Sequence, residues 1–181
     1  MNALILTLIG EDRPGLVGAV AEVVTAHDGN WVESSLARLS GRFAGVVRVT
    51  VPDANAADLS QALTELADRQ RLRVNVEPID DADEAHAAGM SLPHRLKLEV
   101  VGLDRAGIVR DVTAALARHG VNVVSFESKV FNAPMSGERM FRTNAVLGVP
   151  EGLEVDSLHA TLDTVAEALH VEVHLLEAEE T

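Results

Sequence analysis

The feature that most constrains this chain is an internal repeat. Leu4-Ile5-Leu6-Thr7-Leu8-Ile9-Gly10-Glu11-Asp12-Arg13-Pro14-Gly15-Leu16-Val17 returns as Leu96-Lys97-Leu98-Glu99-Val100-Val101-Gly102-Leu103-Asp104-Arg105-Ala106-Gly107-Ile108-Val109, at a constant offset of 92. Seven positions are identical: Leu4, Leu6, Gly10, Asp12, Arg13, Gly15 and Val17 with their partners. The register still holds at His27/His119 and Asn30/Asn122. At Pro52/Pro150 the offset has become 98, so the second copy carries about six more residues, and Asn132-Ala133-Pro134-Met135-Ser136-Gly137 is the natural place for them. A repeat of this length means two copies of one folding unit, and 181 residues accommodate two small domains.

Between the copies, Asp80 to His94 holds four acids, a Gly and a Pro, with no Lys or Arg. It reads as a solvated linker over residues 80–94, leaving domains at 1–79 and 95–181. The net charge of −13 divides as −3, −4 and −6 over first copy, linker and second copy, so neither half is a hidden basic module. The few cations are scattered, and a phosphate backbone would be repelled; direct nucleic-acid binding is disfavoured. Cysteine is absent, which removes disulfides, thiolate metal sites and Cys nucleophiles together. No apolar run approaches a membrane span, and the first residues lack the basic region of a signal peptide. The expectation is an acidic, soluble, cytoplasmic protein.

Local patterning supplies the fold class. Leu4, Leu6 and Leu8 alternate with Ile5, Thr7 and Ile9 at strand spacing, and the Gly10–Gly15 loop follows. Pro14 suits the first turn of a helix, Val17, Val20, Ala21 and Val24 share one helical face, and Gly29 is a plausible stop. Trp31 to Leu39 and Arg42 to Val51 are rich in strand formers, joined by a Ser40-Gly41 hairpin. Leu59, Leu63 and Leu66 mark a second helix, and Leu72 to Ile79 a last strand. The second copy repeats this order over Arg95–Val101, Ile108–His119, Val121–Phe131, Arg139–Val149, Val155–His170 and Val171–Leu176. A βαββαβ unit with right-handed crossovers closes most simply as a ferredoxin-like sandwich, so the class is α+β, two such sandwiches in tandem.

The repeated Gly-x-Asp-Arg-x-Gly-[Leu/Ile]-Val loop joins a strand to a helix N-terminus. Unpaired helix N–H groups and the approach that glycine allows make it a candidate site for a small anion or carboxylate. The competing reading is a tight turn in which Asp12 and Asp104 cap backbone amides. With a carboxylate already at the turn, a zwitterion fits better than a phosphate: its amine can meet the Asp while its carboxylate meets the amides. Asn30 and Asn122 follow the first helix at equivalent positions, either as helix stops or as ligand contacts on the same rim as the loop. His27 and His119 read as helix C-caps. His170 and His174 have no carboxylate or third His to complete a metal set. There is no Gly-x-Ser-x-Gly turn, no Walker loop and no Gly-x-Gly-x-x-Gly, and Ser34, Ser35, Ser125 and Ser128 have no evident base. No catalytic residue, metal or cofactor is expected, and the chain reads as a non-enzyme.

At the paired Asp-Arg-[Pro/Ala]-Gly-[Leu/Ile]-Val loops, each followed by a helix and Asn, the chain resembles a tandem ACT-domain protein over nearly its whole length. It is similar to the glycine cleavage system transcriptional repressor type, built from two ACT domains and little else. The first loop fits the pattern closely; the second has Ala106 where Pro is usual, and a longer hairpin. The resemblance implies amino-acid sensing, with glycine or serine as possible ligands, bound between the first loop of one domain and the strand edge of its neighbour. Carried over residue by residue, the ligand-binding candidates are Asp12, Gly15, Leu16 and Asn30, with Asp104, Gly107, Ile108 and Asn122 as their equivalents.

Proteins of the repressor type carry no DNA-binding domain and act by contacting a transcriptional activator, which the acidic charge accommodates. The resemblance also allows a regulatory subunit or stand-alone ACT pair controlling a metabolic enzyme. A third possibility is a structural oligomerisation module without ligand. If Leu4, Leu6 and Leu8 face the helices, the bare sheet face of the first copy shows Ile5, Thr7 and Ile9, against Lys97, Glu99 and Val101 in the second. With Val46 or its neighbours added, the first face is more apolar and is expected to pack on another domain or subunit, which points to a homo-oligomer.

Overall fold

The computed structural model describes residues 1–79 and 94–178. The chain forms two compact units, Met1–Ala88 and Gly89–Thr181. The first contains β1 (Asn2–Glu11), α1 (Leu16–Ala26), β2 (Asn30–Leu39), β3 (Arg42–Val51), α2 (Ala56–Gln70) and β4 (Leu72–Ile79), with a short 3-10 turn at Asp53–Asn55. The second contains β5 (His94–Leu103), α3 (Ile108–Arg118), β6 (Asn122–Asn132), β7 (Arg139–Val149), α4 (Val155–Leu169) and β8 (Val171–Glu177). His94, assigned to the linker by composition, is the first residue of a strand; the rest of the expected linker lies outside the described residues.

Each unit is a four-stranded antiparallel sheet, in the order β2-β3-β1-β4 and β6-β7-β5-β8. Strand alternation decides the faces. Leu4, Leu6 and Leu8 are buried with Leu16, Val20 and Val24 of α1 and Leu59, Leu63 and Leu66 of α2 in one core. Leu96, Leu98 and Val100 do the same with Ile108, Val112 and Leu116 of α3 and Leu158 and Leu162 of α4. Since Leu6 and Leu98 are essentially inaccessible, truncating either to Ala costs about 2–5 kcal/mol.

The connections follow from backbone chemistry. Ser40 (φ 49°) and Gly41 (φ 74°) both take positive φ, as a two-residue hairpin whose twist matches its strands requires. The corresponding β6–β7 connection spans residues 133–138, closed by the Ala133 N–H donating to the Glu138 carbonyl at 2.8 Å. The extra residues of the second copy therefore lengthen this hairpin, as the repeat register requires.

Candidate functional site

β1 and β5 each run into the first loop, and the chain enters α1 and α3 through a left-handed glycine: Gly15 at φ 89° and Gly107 at φ 102°. Any other residue would be strained there by about 1–2 kcal/mol. The first intrahelical bonds are Ala19 N–H to the Gly15 carbonyl and Asp111 N–H to the Gly107 carbonyl, both 2.9 Å. The N–H groups of Leu16, Val17 and Gly18 precede that bond and point out of the helix end, where the helix dipole favours negative charge.

Asp12 and Asp104 do not cap these helices: neither N-terminus has a side-chain capping bond. Each aspartate is clasped to the hairpin arm instead. Asp12 Oδ2 is ion-paired with Arg38, 2.6 Å from its Nε, and the Asp12 N–H donates to the Gly41 carbonyl at 3.0 Å. Asp104 Oδ2 lies 3.1 Å from Arg139 Nη2, and its N–H donates to the Arg139 carbonyl at 2.8 Å. The arginines come from non-equivalent positions, β2 in one copy and β7 in the other, yet the pairing is kept. With a guanidinium already on the carboxylate, a ligand amine has to share it.

The side chains of Leu16 and Ile108 are core residues, 4% and 2% exposed, so these positions offer a ligand their backbone only. Asn30 and Asn122 are exposed first residues of β2 and β6, opposite Thr50 and Gly148. Neither is the left-handed helix stop; Asp28 (φ 57°) and Gly120 (φ 67°) take that conformation. Nor do they share a rim with the loop. Thr50 is paired with Ala3, whereas Phe43 is paired with Gly10, so Asn30 lies at the opposite end of the sheet from Gly15. The reason is simple: α1 runs antiparallel to β1 and returns the chain to the far end. Within one unit, the structure brings Asp12, Gly15 and Leu16 together and leaves Asn30 apart, and the same holds for Asp104, Gly107, Ile108 and Asn122. His27 and His119 are helix C-caps, as expected, with His27 Nδ1 2.8 Å from the Val23 carbonyl.

The two loops share a backbone and differ in what covers it. A β-carbon built on Gly15 meets nothing within 4 Å. On Gly107 it would lie 3.2 Å from Arg110 Nη2 and 3.5 Å from Asp111 Oδ2. Arg110 donates twice to Asp111, at 2.7 Å and 3.1 Å, and these bonds hold the Asp111 carboxyl below its ordinary pKa. At the equivalent places α1 has Gly18 and Ala19. The first turn of α1 carries no acid, while that of α3 carries Asp111. The helix turn after the first loop is open and carries no acid; the second is roofed by its own ion pair.

The bare sheet faces depart from the expectation in degree. Ile9 (49%) and Val46 (44%) of the first copy are indeed exposed. The register, however, sets Ile5 opposite Arg48 and Glu77, and Ile9 opposite Arg73, so charge flanks the apolar centre. The second face gains Val146 of β7 and Leu176 of β8 beside Lys97 and Glu99, around a cavity of about 350 Å³. A face is built by four strands, and the contrast seen along β1 and β5 alone is diluted by the others. Among the described residues no three His, Asp or Glu side chains converge as a metal set, and no helix is long and apolar enough to cross a membrane.

Family models for the ACT domain match residues 2–77 and 97–146. No curated protein sequence matches the chain. Among solved structures, an unknown protein from Galdieria sulphuraria is 27% identical, with 98% of this chain and 99% of that one covered and a TM-score of 0.82. A candidate glycine cleavage system transcriptional repressor is 20% identical, with 99% and 98% covered and a TM-score of 0.73.

Proposed function

The chain belongs to the ACT-domain family, and from that premise we propose that it is a non-enzymatic regulatory protein that senses a small amino acid at the Gly15 loop and passes the signal to a partner protein. The observation that carries this reading is the open left-handed turn at Gly15, with free first-turn N–H groups and no acid in the first turn of α1. A ligand carboxylate is stabilised by those amides and by the helix dipole. The ligand amine is taken by the Asp12 carboxylate alongside Arg38. An Asn30-type contact reaches this ligand only from a second copy of the fold, as in a homo-oligomer whose loop and strand edge come from different chains.

A ligand that holds two units together favours the joined state by its differential affinity and no more. A partner that recognises the joined surface is thereby coupled to amino-acid level. The resemblance to the repressor type makes a transcriptional activator the favoured partner, contacted without DNA, and the shared fold with a candidate glycine cleavage repressor accords with it. The test is a thermal-shift screen over the amino acids, glycine and serine included. Binding to the native state alone raises the unfolding midpoint. The expected result is a rise with a small amino acid that is lost in Gly15→Val. A flat panel at millimolar concentration would leave the oligomerisation module as the better account.

A further inference from the structure

Residues 1–79 carry a net charge of −3, yet three guanidiniums converge at one end of the bare sheet face of the first copy. Arg42 opens β3, Arg71 ends α2 in the left-handed conformation (φ 52°), and Arg73 is the second residue of β4. With Ile9 and Gly10 of β1 they line a cavity of about 380 Å³. Register explains the meeting: Ile9 lies opposite Arg73, and Glu11 opposite Arg42.

Like charges brought together across strands are destabilising unless something answers them. Glu11, the nearby carboxylate, is bonded to Arg13, whose Nη2 lies 2.6 Å from Glu11 Oε2; Arg71 and Arg42 act on it more weakly, through charge alone, so this one carboxylate, held below its ordinary pKa, answers three guanidiniums at once. Among the described residues, Arg42, Arg71 and Arg73 make no side-chain ion pair or hydrogen bond. In a chain with 28 acidic and 15 basic residues, that is a conspicuous surplus. The second unit provides an internal control. Met140, His170 and Glu172 stand at the equivalent points of β7, the α4 cap and β8, so the fold does not need cations there.

We propose that Arg42, Arg71 and Arg73 bind a small, multiply charged anion carrying phosphate or clustered carboxylate groups. Guanidinium forks pair bidentately with such oxyanions, and the concavity is the size of a small-molecule site. Ile9 floors the cavity with an apolar surface for the ligand's carbon skeleton. A second copy of this face is a poorer occupant, because a two-fold contact centred here sets guanidiniums against guanidiniums. The site shares the end of β1 with the first loop but uses none of the Gly15 amides, and it does not rest on the amino-acid reading.

Calorimetry on the full chain at low ionic strength tests it, with pyrophosphate as the phosphate probe and citrate as the carboxylate probe. At least one should bind at one site per chain and weaken with added salt. Arg73→Glu and Arg42→Glu should each weaken it by about tenfold or more, and Arg73→Lys by less, since it keeps charge and loses the fork. Arg118→Glu makes the same change in net charge on the second unit and should leave binding intact, as should Gly15→Val. Circular dichroism melts of each variant establish that it is folded. The proposal is overturned if neither probe binds at millimolar concentration. It is equally overturned if a folded Arg73→Glu binds like the parent, or if only polyglutamate binds, which would mark a protein-docking patch.

Discussion

Gly15 and Gly107 occupy the same turn of the same fold, with φ values of 89° and 102°, and are dressed in opposite ways. Beside Gly15 lie Gly18 and Ala19 and open space; beside Gly107 lie Arg110 and Asp111, bonded to each other over the turn. Duplication has preserved the backbone, where the left-handed glycine admits no substitute without strain, and released the side chains around it. The same holds at the bare end of the sheet, where the first copy has Arg42, Arg71 and Arg73 and the second has Met140, His170 and Glu172 at the equivalent positions. What the two copies share is what the fold requires. What they do not share is where function is free to lodge, and both differences favour the first copy.

The comparison makes predictions that can break it. The largest effect belongs to what is common. Leu6→Ala and Leu98→Ala should each cost about 2–5 kcal/mol within their own copy, measured by hydrogen exchange of β1 and β5 amides under native conditions. Costs differing by more than about 1 kcal/mol would mean that the cores are not equivalent. A smaller effect sharpens the difference between the loops. Arg110→Ala combined with Asp111→Ala, which removes the pair and its carboxylate together, should uncover the Gly107 turn and add a weak second amino-acid site, seen in calorimetry as a rise in stoichiometry with little change in melting temperature. The Arg110–Asp111 pair is largely solvated, and such pairs contribute little to stability. An unchanged stoichiometry would show that the pair is not what closes the second loop.

Much of the fold was legible in the residues. The constant offset set the two units, and the alternation of Leu4, Leu6 and Leu8 set the buried face; β3, β4 and β7 begin and end where their composition changes. The site was legible only in part. Glycine at 15 and 107 announces a special backbone, but Leu16 and Ile108 belong to the loop in sequence and to the core in space. Asn30 was misplaced because proximity along the chain says nothing of which end a helix returns to. The Asp12–Arg38 clasp and the Arg42, Arg71, Arg73 cluster join residues about 26 to 31 positions apart through strand register, which no local pattern encodes.

The central claim is that one amino-acid site operates, at the open Gly15 turn. Titration calorimetry of the parent chain with the amino acid identified by thermal shift, beside Gly15→Val and Gly107→Val, tests it most directly. The account predicts one ligand per chain, abolished by Gly15→Val and retained in Gly107→Val. Two ligands per chain, or one that survives Gly15→Val and vanishes in Gly107→Val, would contradict it.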